Sequence, residues 1–226
     1  MINSISKFYQ SSIGKKQIVA TTGLLLIIYV IAHLAGNLFI YAGPEVYNAY
    51  AKKLTDLRPG LYVVEFGLLL VFLIHIFVTA VLVSQNITAR TTQYAVYKPV
   101  GSRSLATRLM SMSGTIVLAF VIWHLLDFTF VDKHGARSVL ADGESYGLYG
   151  VVYNAFSDPL HSFFYIIAMI AVGLHLSHGV QSFIQTFGFN HPRYTPMIQG
   201  FSNIFACLVT FAYSSIPVYV LLKVKI

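Results

Sequence analysis

Charge is what this sequence has least of. Asp, Glu, Lys and Arg together make up 10% of its 226 residues, where a soluble domain carries about 25%. Acids number eight, and the interval between Asp158 and Arg193 holds no charged residue at all. That scarcity excludes an ordinary soluble domain. Cysteine is nearly absent too. Cys207 stands alone inside an apolar run, so no disulfide can form within the chain and no cysteine-ligated iron–sulfur or zinc site can be built. The basic N-terminal segment MINSISKFYQSSIGKK is followed by an apolar run too long for a signal-peptide core, which predicts a retained first membrane helix. Internal repeats and low-complexity tracts are absent.

What is present is apolar: 56% of residues are hydrophobic and 15% aromatic. A helix needs roughly 20 apolar residues to cross a hydrocarbon core, and five runs meet that length. They are expected at 17–41, 61–88, 109–130, 159–187 and 197–222. The expected fold is therefore all-α, a single integral membrane domain over 1–226 built as a bundle of five transmembrane helices. Between the spans the residues are polar or turn-forming, with Gly43-Pro44 and Arg58-Pro59-Gly60 framing the first loop. Asp158-Pro159 opens the fourth span, where proline is tolerated in the first turn. The third loop, about 131–157, is the longest.

Orientation follows from the loops. With the N-terminus cytoplasmic, the inner side receives Lys7, Lys15, Lys16, Arg90, Lys98, Arg103, Arg108 and Arg193 and no acid. The outer side receives Lys52, Lys53, Arg58, Lys133, Arg137, Lys223 and Lys225, and all eight acids lie outside or in the outer halves of spans. The basic count alone differs little; the second loop is the clearest positive-inside signal. The chain is expected N-in and C-out, multi-pass, in the inner (cytoplasmic) membrane, with the lipid bilayer as its surroundings and no nucleic-acid partner.

Four of these spans carry a histidine well inside the hydrocarbon. A buried imidazole is costly and has a partner or a task. Counting about 1.5 Å of rise per residue, His33 and His124 lie about 24 and 22 Å from the inner surface, while His75 and His175 lie about 21 and 24 Å from the outer one. In a core about 30 Å thick, His33 and His124 share an outer layer and His75 and His175 an inner one. Two imidazoles facing each other, with Gly36, Gly114 and Gly179 nearby to leave room, suit axial ligation of a flat iron porphyrin. Bis-histidine ligation leaves no open iron position, which favours electron transfer over oxygen chemistry. Zinc fits less well, because each layer offers two ligands of the usual four. His178 lies three residues from His175 at similar depth, so spacing leaves the two open. His134, His161 and His191 read as loop or interfacial residues.

Several motifs resemble those of one family. They are HLAGN at 33–37, YNAYAKKL at 47–54, LIHIF at 73–77, RLMSMSG at 108–114, WHLLDF at 123–128 and GLHLSHGVQSFIQTFG at 173–188. Together they resemble the dihaem cytochrome b anchor of succinate:quinone oxidoreductases, the succinate dehydrogenases and fumarate reductases with one large five-helix subunit. The resemblance implies two haem b groups held by His33, His75, His124 and His175. It prefers His175 over His178, because the family's ligand precedes the helical glycine by four residues, as His175 precedes Gly179. It also implies a flavoprotein subunit with FAD and an iron–sulfur subunit docked on the basic inner face, and a membrane quinone, menaquinone or ubiquinone, as substrate. The succinate or fumarate site would lie on those partners.

Quinone chemistry needs a proton donor. Glu65 and Asp127, near the outer ends of their spans, are candidates; each also reads as a helix-end acid in contact with water or a lysine. Lys15, Lys16, Arg108 and Arg193 could pair with inner haem propionates, and positive-inside bias accounts for them equally well. Two other readings use the same residues: the cytochrome b anchor of a hydrogenase or formate dehydrogenase, and a haem-free transporter that moves protons on buried histidines.

Overall fold

The computed structural model describes residues 7–89 and 105–224. Arg90, Lys98 and Arg103, which carry the charge signal of the second loop, and Lys225 lie outside the described residues. The architecture is helical, and among the described residues there is no strand, only an isolated bridge between Val139 and Ser145. Five helices are long and apolar enough to cross a membrane: Ser12–Ala42, Gly60–Thr88, Met110–Thr129, Pro159–Thr186 and Thr195–Val224. These bounds fall within five residues of the sequence expectation at each end. The chain is a multi-pass membrane protein.

Local chemistry fixes the helix ends. The first span is α1, Ser12–Asn37, continued by one 3-10 turn at Leu38–Ala42. Ser11 caps it, its hydroxyl accepting from the Gly14 amide at 3.0 Å. Gly43 then takes a φ of 92°, which only glycine adopts freely, and the chain turns. Pro44 starts α2, Pro44–Asp56. The second span is α3, Gly60–Thr88. A single turn, α4 at Leu105–Arg108, leads into α5, Met110–His124, which ends in a π turn at Leu125–Thr129. Then come α6, Gly147–Ser157; α7, Pro159–Thr186; and α8, Thr195–Val224. Asp158 caps α7, accepting from the Leu160 amide at 2.9 Å, with Pro159 at the first helical position.

The expected polar loops differ from the structure. The first loop is largely α2, and the third ends in α6. Both are short amphipathic pieces, which the search for membrane-length apolar runs passes over. They pack together and close one end of the bundle. Asn48 joins them: its Nδ2 donates to the Tyr146 carbonyl at 2.7 Å and its Oδ1 accepts from the Tyr149 amide at 3.1 Å. Beneath them a buried cluster of Ile40, Tyr47, Tyr149, Phe156 and Val220 seals that end. Burial pushes the Tyr47 phenol up to about 12, so it stays a neutral donor, bonded to Asn37 Oδ1 at 3.3 Å. We call this the far end. The near end carries Ser12, Thr88, Met110, Thr186 and Thr195.

At the centre is α7, packed against α8, α5 and α1, while α3 rests on α1. The interior is small and partly polar: Ser113, Ser162 and Ser202 are fully buried. The outside is large and apolar, and α3 has no buried residue, exposing Val63, Phe66, Leu69, Leu73 and Phe77. Small residues at the helix seams and bulky apolar ones on the outside suit lipid, since lipid drives no apolar burial and helices associate by close packing.

Candidate functional site

The far-end pair is built by α1 and α5. Their helical phase turns His33 and His124 toward each other, with ring centroids 5.7 Å apart and planes at 89°. Aromatic rings enclose them. Tyr29 stacks on His33 at 5.4 Å and Tyr213 lies 6.3 Å away. Phe120, Phe128 and Tyr165 surround His124. One ring nitrogen of His124, Nδ1, is buried with no hydrogen-bond partner. A buried polar atom left unpaired is costly, and no atom of the described residues meets this one.

The near-end pair is built by α3 and α7. His75 and His175 are close enough to interact electrostatically. Each is held by a hydroxyl from the neighbouring helix: Thr22 Oγ1 lies 3.0 Å from His75 Nδ1 and Ser113 Oγ 3.4 Å from His175 Nδ1. Thr79, one turn from His75, has a buried hydroxyl without a partner. His178 is placed differently. Its Nδ1 lies 3.0 Å from Thr107 Oγ1 on α4, which ties the ring to the near-end rim.

The glycines divide. A side chain at Gly114 would meet the His175 ring, as expected. The space beside Gly36 is filled by Tyr50 of α2, and Gly179 faces open space. Gly23, which sequence reasoning passed over, faces His75 as Gly114 faces His175. Nothing in the sequence distinguishes Gly23 from other helical glycines except its place one residue after a threonine.

The acids also part company. Glu65 is exposed on α3; its Oε1 accepts from Arg58 Nη2 at 3.2 Å, and it acts electrostatically on Tyr29, the ring stacked on His33. Asp127 is buried inside the π turn. Its Oδ2 accepts from the Tyr165 hydroxyl at 2.8 Å, and Arg137 Nη2 lies 3.6 Å from Oδ1. His161 Nε2 is 3.3 Å from Oδ2, but out of line for a hydrogen bond. So Asp127 is the hub of a polar cluster and not a solvated helix-end acid, and His161 is part of that cluster. The π turn is the reason: it pulls residue 127 inward, and no residue pattern announced it. Lys15 and Lys16 line a near-end cleft of 460 Å³ between α1 and α3, with Lys15 Nζ donating to Gln85 Oε1 at 3.0 Å. Arg108 is exposed at the end of α4, and Arg193 is exposed in the turn between α7 and α8.

These residues fit a flat iron porphyrin. Imidazoles come together in facing pairs, and among the described residues no group of three or more His, Cys, Asp or Glu could hold a metal ion. Two glycines leave room against imidazoles, and a His ring nitrogen and a hydroxyl beside the pairs are buried and unsatisfied.

The chain is 27% identical over 187 residues to the succinate dehydrogenase cytochrome b558 subunit of Bacillus subtilis (strain 168), a match that covers 83% of this chain and 84% of that protein. No protein-family model matches the chain, and no solved structure matches it significantly.

Proposed function

We propose that this chain is the membrane-anchor cytochrome b subunit of a succinate dehydrogenase or fumarate reductase. In this role it carries electrons between a flavin and iron–sulfur module and a membrane quinone. The observation that carries the reading is the meeting of His33 and His124 across two helices, with ring centroids 5.7 Å apart inside an aromatic enclosure. The likeness to the Bacillus subtilis cytochrome b558 subunit, over 83% of this chain, supports it.

On this reading the chain forms one membrane domain with two haem b groups. His33 and His124 hold the far-end haem, and His75 and His175 the near-end one. Haem held there would supply a one-electron ferric/ferrous couple. The protein's residues do the rest. Aromatic side chains around His33 and His124 exclude water, and apolar helix faces keep the pairs in hydrocarbon. Asp127 or Glu65 provides the proton that quinone chemistry requires, each sitting beside a tyrosine that faces a far-end imidazole. Near-end cations, among Lys15, Lys16, Arg108 and Arg193, meet haem propionates or the iron–sulfur subunit. The near end faces the cytoplasm, where the flavoprotein docks, and the membrane is the inner one.

The test is a pyridine-haemochrome assay on the purified complex. The expected result is about two haem b per chain, falling to about one in His33→Ala or His124→Ala. Absence of a reduced haem b band in the wild-type complex would overturn the reading.

A further inference from the structure

Two dipeptides on different helices repeat one arrangement. On α1, Thr22 is followed by Gly23; on α5, Ser113 is followed by Gly114. In each, the hydroxyl lies against Nδ1 of a near-end histidine from the adjacent helix, and the glycine faces the same ring. A β-carbon at either glycine would sit 3.3 Å from the imidazole Cε1. That is closer than a side chain ordinarily packs, so a β-carbon there requires the ring to shift by a few tenths of an ångström.

The hydrogen-bond directions are fixed by the backbone. The Thr22 hydroxyl has one proton, and it donates to the Ile18 carbonyl at 2.8 Å, with the Val19 carbonyl at 3.2 Å as the alternative. The hydroxyl oxygen is then an acceptor for His75 Nδ1–H at 3.0 Å. A carbonyl can only accept, so the Thr22 proton is committed to the helix backbone. Likewise Ser113 Oγ donates to the Met110 carbonyl at 3.0 Å and accepts from His175 Nδ1, at a longer 3.4 Å. With those hydroxyl protons engaged by backbone carbonyls, both near-end rings carry their proton on Nδ1 and leave the Nε2 lone pair free to ligate. The far-end pair lacks this support: His124 Nδ1 is buried and unpaired. Among the described residues the His33 ring has aromatic neighbours and no hydrogen-bond partner.

We propose that Thr22-Gly23 and Ser113-Gly114 are a paired positioning device that fixes the tautomer, orientation and donor strength of the near-end histidines alone. This rests on the haem-binding reading given above. A partner that accepts the ring's outward N–H raises the basicity of a ligating histidine, and a more basic ligand favours the ferric state. Thr22 and Ser113 thus bias the near-end couple independently of the far-end one, although all four ligands are histidines.

The experiment is a redox titration of the haem b absorption in the purified complex, with the near-end component identified as the one lost in His75→Ala. In Thr22→Val, the near-end ferric/ferrous ratio at fixed poise should fall about tenfold, a shift of about 59 mV to more positive potential for a one-electron couple. The far-end component should stay in place, and the electron paramagnetic resonance signal of the near-end ferric haem should change with the potential. Ser113→Ala should shift the same component less, and Thr22→Ser should restore the wild-type value. Loss of the near-end component alone in Thr22→Val, rescued in Thr22→Ser, supports the device equally. Two haems with unmoved potentials in both Thr22→Val and Ser113→Ala overturn it and leave the haem-binding reading standing. Equal disturbance of both components, uncorrected by Thr22→Ser, overturns it as a packing effect. A wild-type complex without haem b removes the function itself.

Discussion

At the scale of single residues, two histidines three residues apart on α7 are held by different hydroxyls. His175 meets Ser113 inside the bundle, whereas His178 is tied to Thr107 at the rim. His178→Ala should keep about two haem b per chain by pyridine haemochrome, and His175→Ala should keep about one. Asp127 is a second case. It accepts from Tyr165 and lies beside Arg137, a group that is itself half exposed. A hydrogen bond to a charged group contributes about 1.5–3 kcal/mol, and the exposed arginine adds little through screening. Asp127→Asn should therefore lower the stability of the detergent-solubilised complex by about 1–3 kcal/mol, read as a fall in Tm. If Asp127 is the proton donor, quinol turnover should fall further than this stability loss explains, with both haems retained. Glu65→Gln, at an exposed position paired with Arg58, should leave Tm within error and change turnover alone if it carries the proton.

At the scale of elements, the contacts that matter lie where helices approach closely or end. Gly173 of α7 faces Thr210 of α8, and the Thr210 hydroxyl reaches the Met169 carbonyl across the same seam at 3.4 Å. A β-carbon at Gly173 would overlap that hydroxyl. Gly173→Ala should cost about 1–3 kcal/mol through overpacking, again as a fall in Tm, and Gly173→Ala combined with Thr210→Ala should recover much of it. The far-end cap depends on Asn48, which satisfies an amide in the first turn of α6 from a different helix. Tyr146, in the capping position, offers no side-chain bond there. Asn48→Ala leaves the Tyr149 amide without its partner and removes one of the two donors to the Tyr146 carbonyl, the Gly150 amide remaining. It should cost about 1–3 kcal/mol and increase hydrogen exchange in α2 and α6 before the spans are affected.

At the scale of the whole molecule, α3 touches its neighbours mainly through α1, and yet it carries His75. A helix with no buried residue is the one most dependent on a ligand to fix it. Haem bound between α3 and α7 would contribute stability by mass action, about 2.7 kcal/mol when free haem exceeds the dissociation constant a hundredfold. Protein prepared from haem-deficient cells should unfold at a lower Tm, and hydrogen exchange should rise first in α3. An unchanged Tm and exchange pattern would mean that the bundle does not rely on the cofactor.

Much of this protein was determined by its sequence, because lipid imposes simple requirements. A span must be long, apolar and helical, so five runs of residues specified five helices to within a few residues of their ends. Helical rise then set the depth of His33, His75, His124 and His175. Depth is a one-dimensional quantity, and a sequence records it well. What the tertiary structure decided is rotational and lateral. Spans this uniformly apolar have no face that sequence can read, so which hydroxyl meets which imidazole was invisible until the helices packed. The assignment of Gly23, and not Gly36, to a histidine followed from that packing, since Tyr50 of α2 claims the space at Gly36. The π turn that buries Asp127 adds one residue to a helical turn without altering composition. The two end-capping helices are too short to register as membrane spans, and they are held by packing on each other and on the ends of the spans.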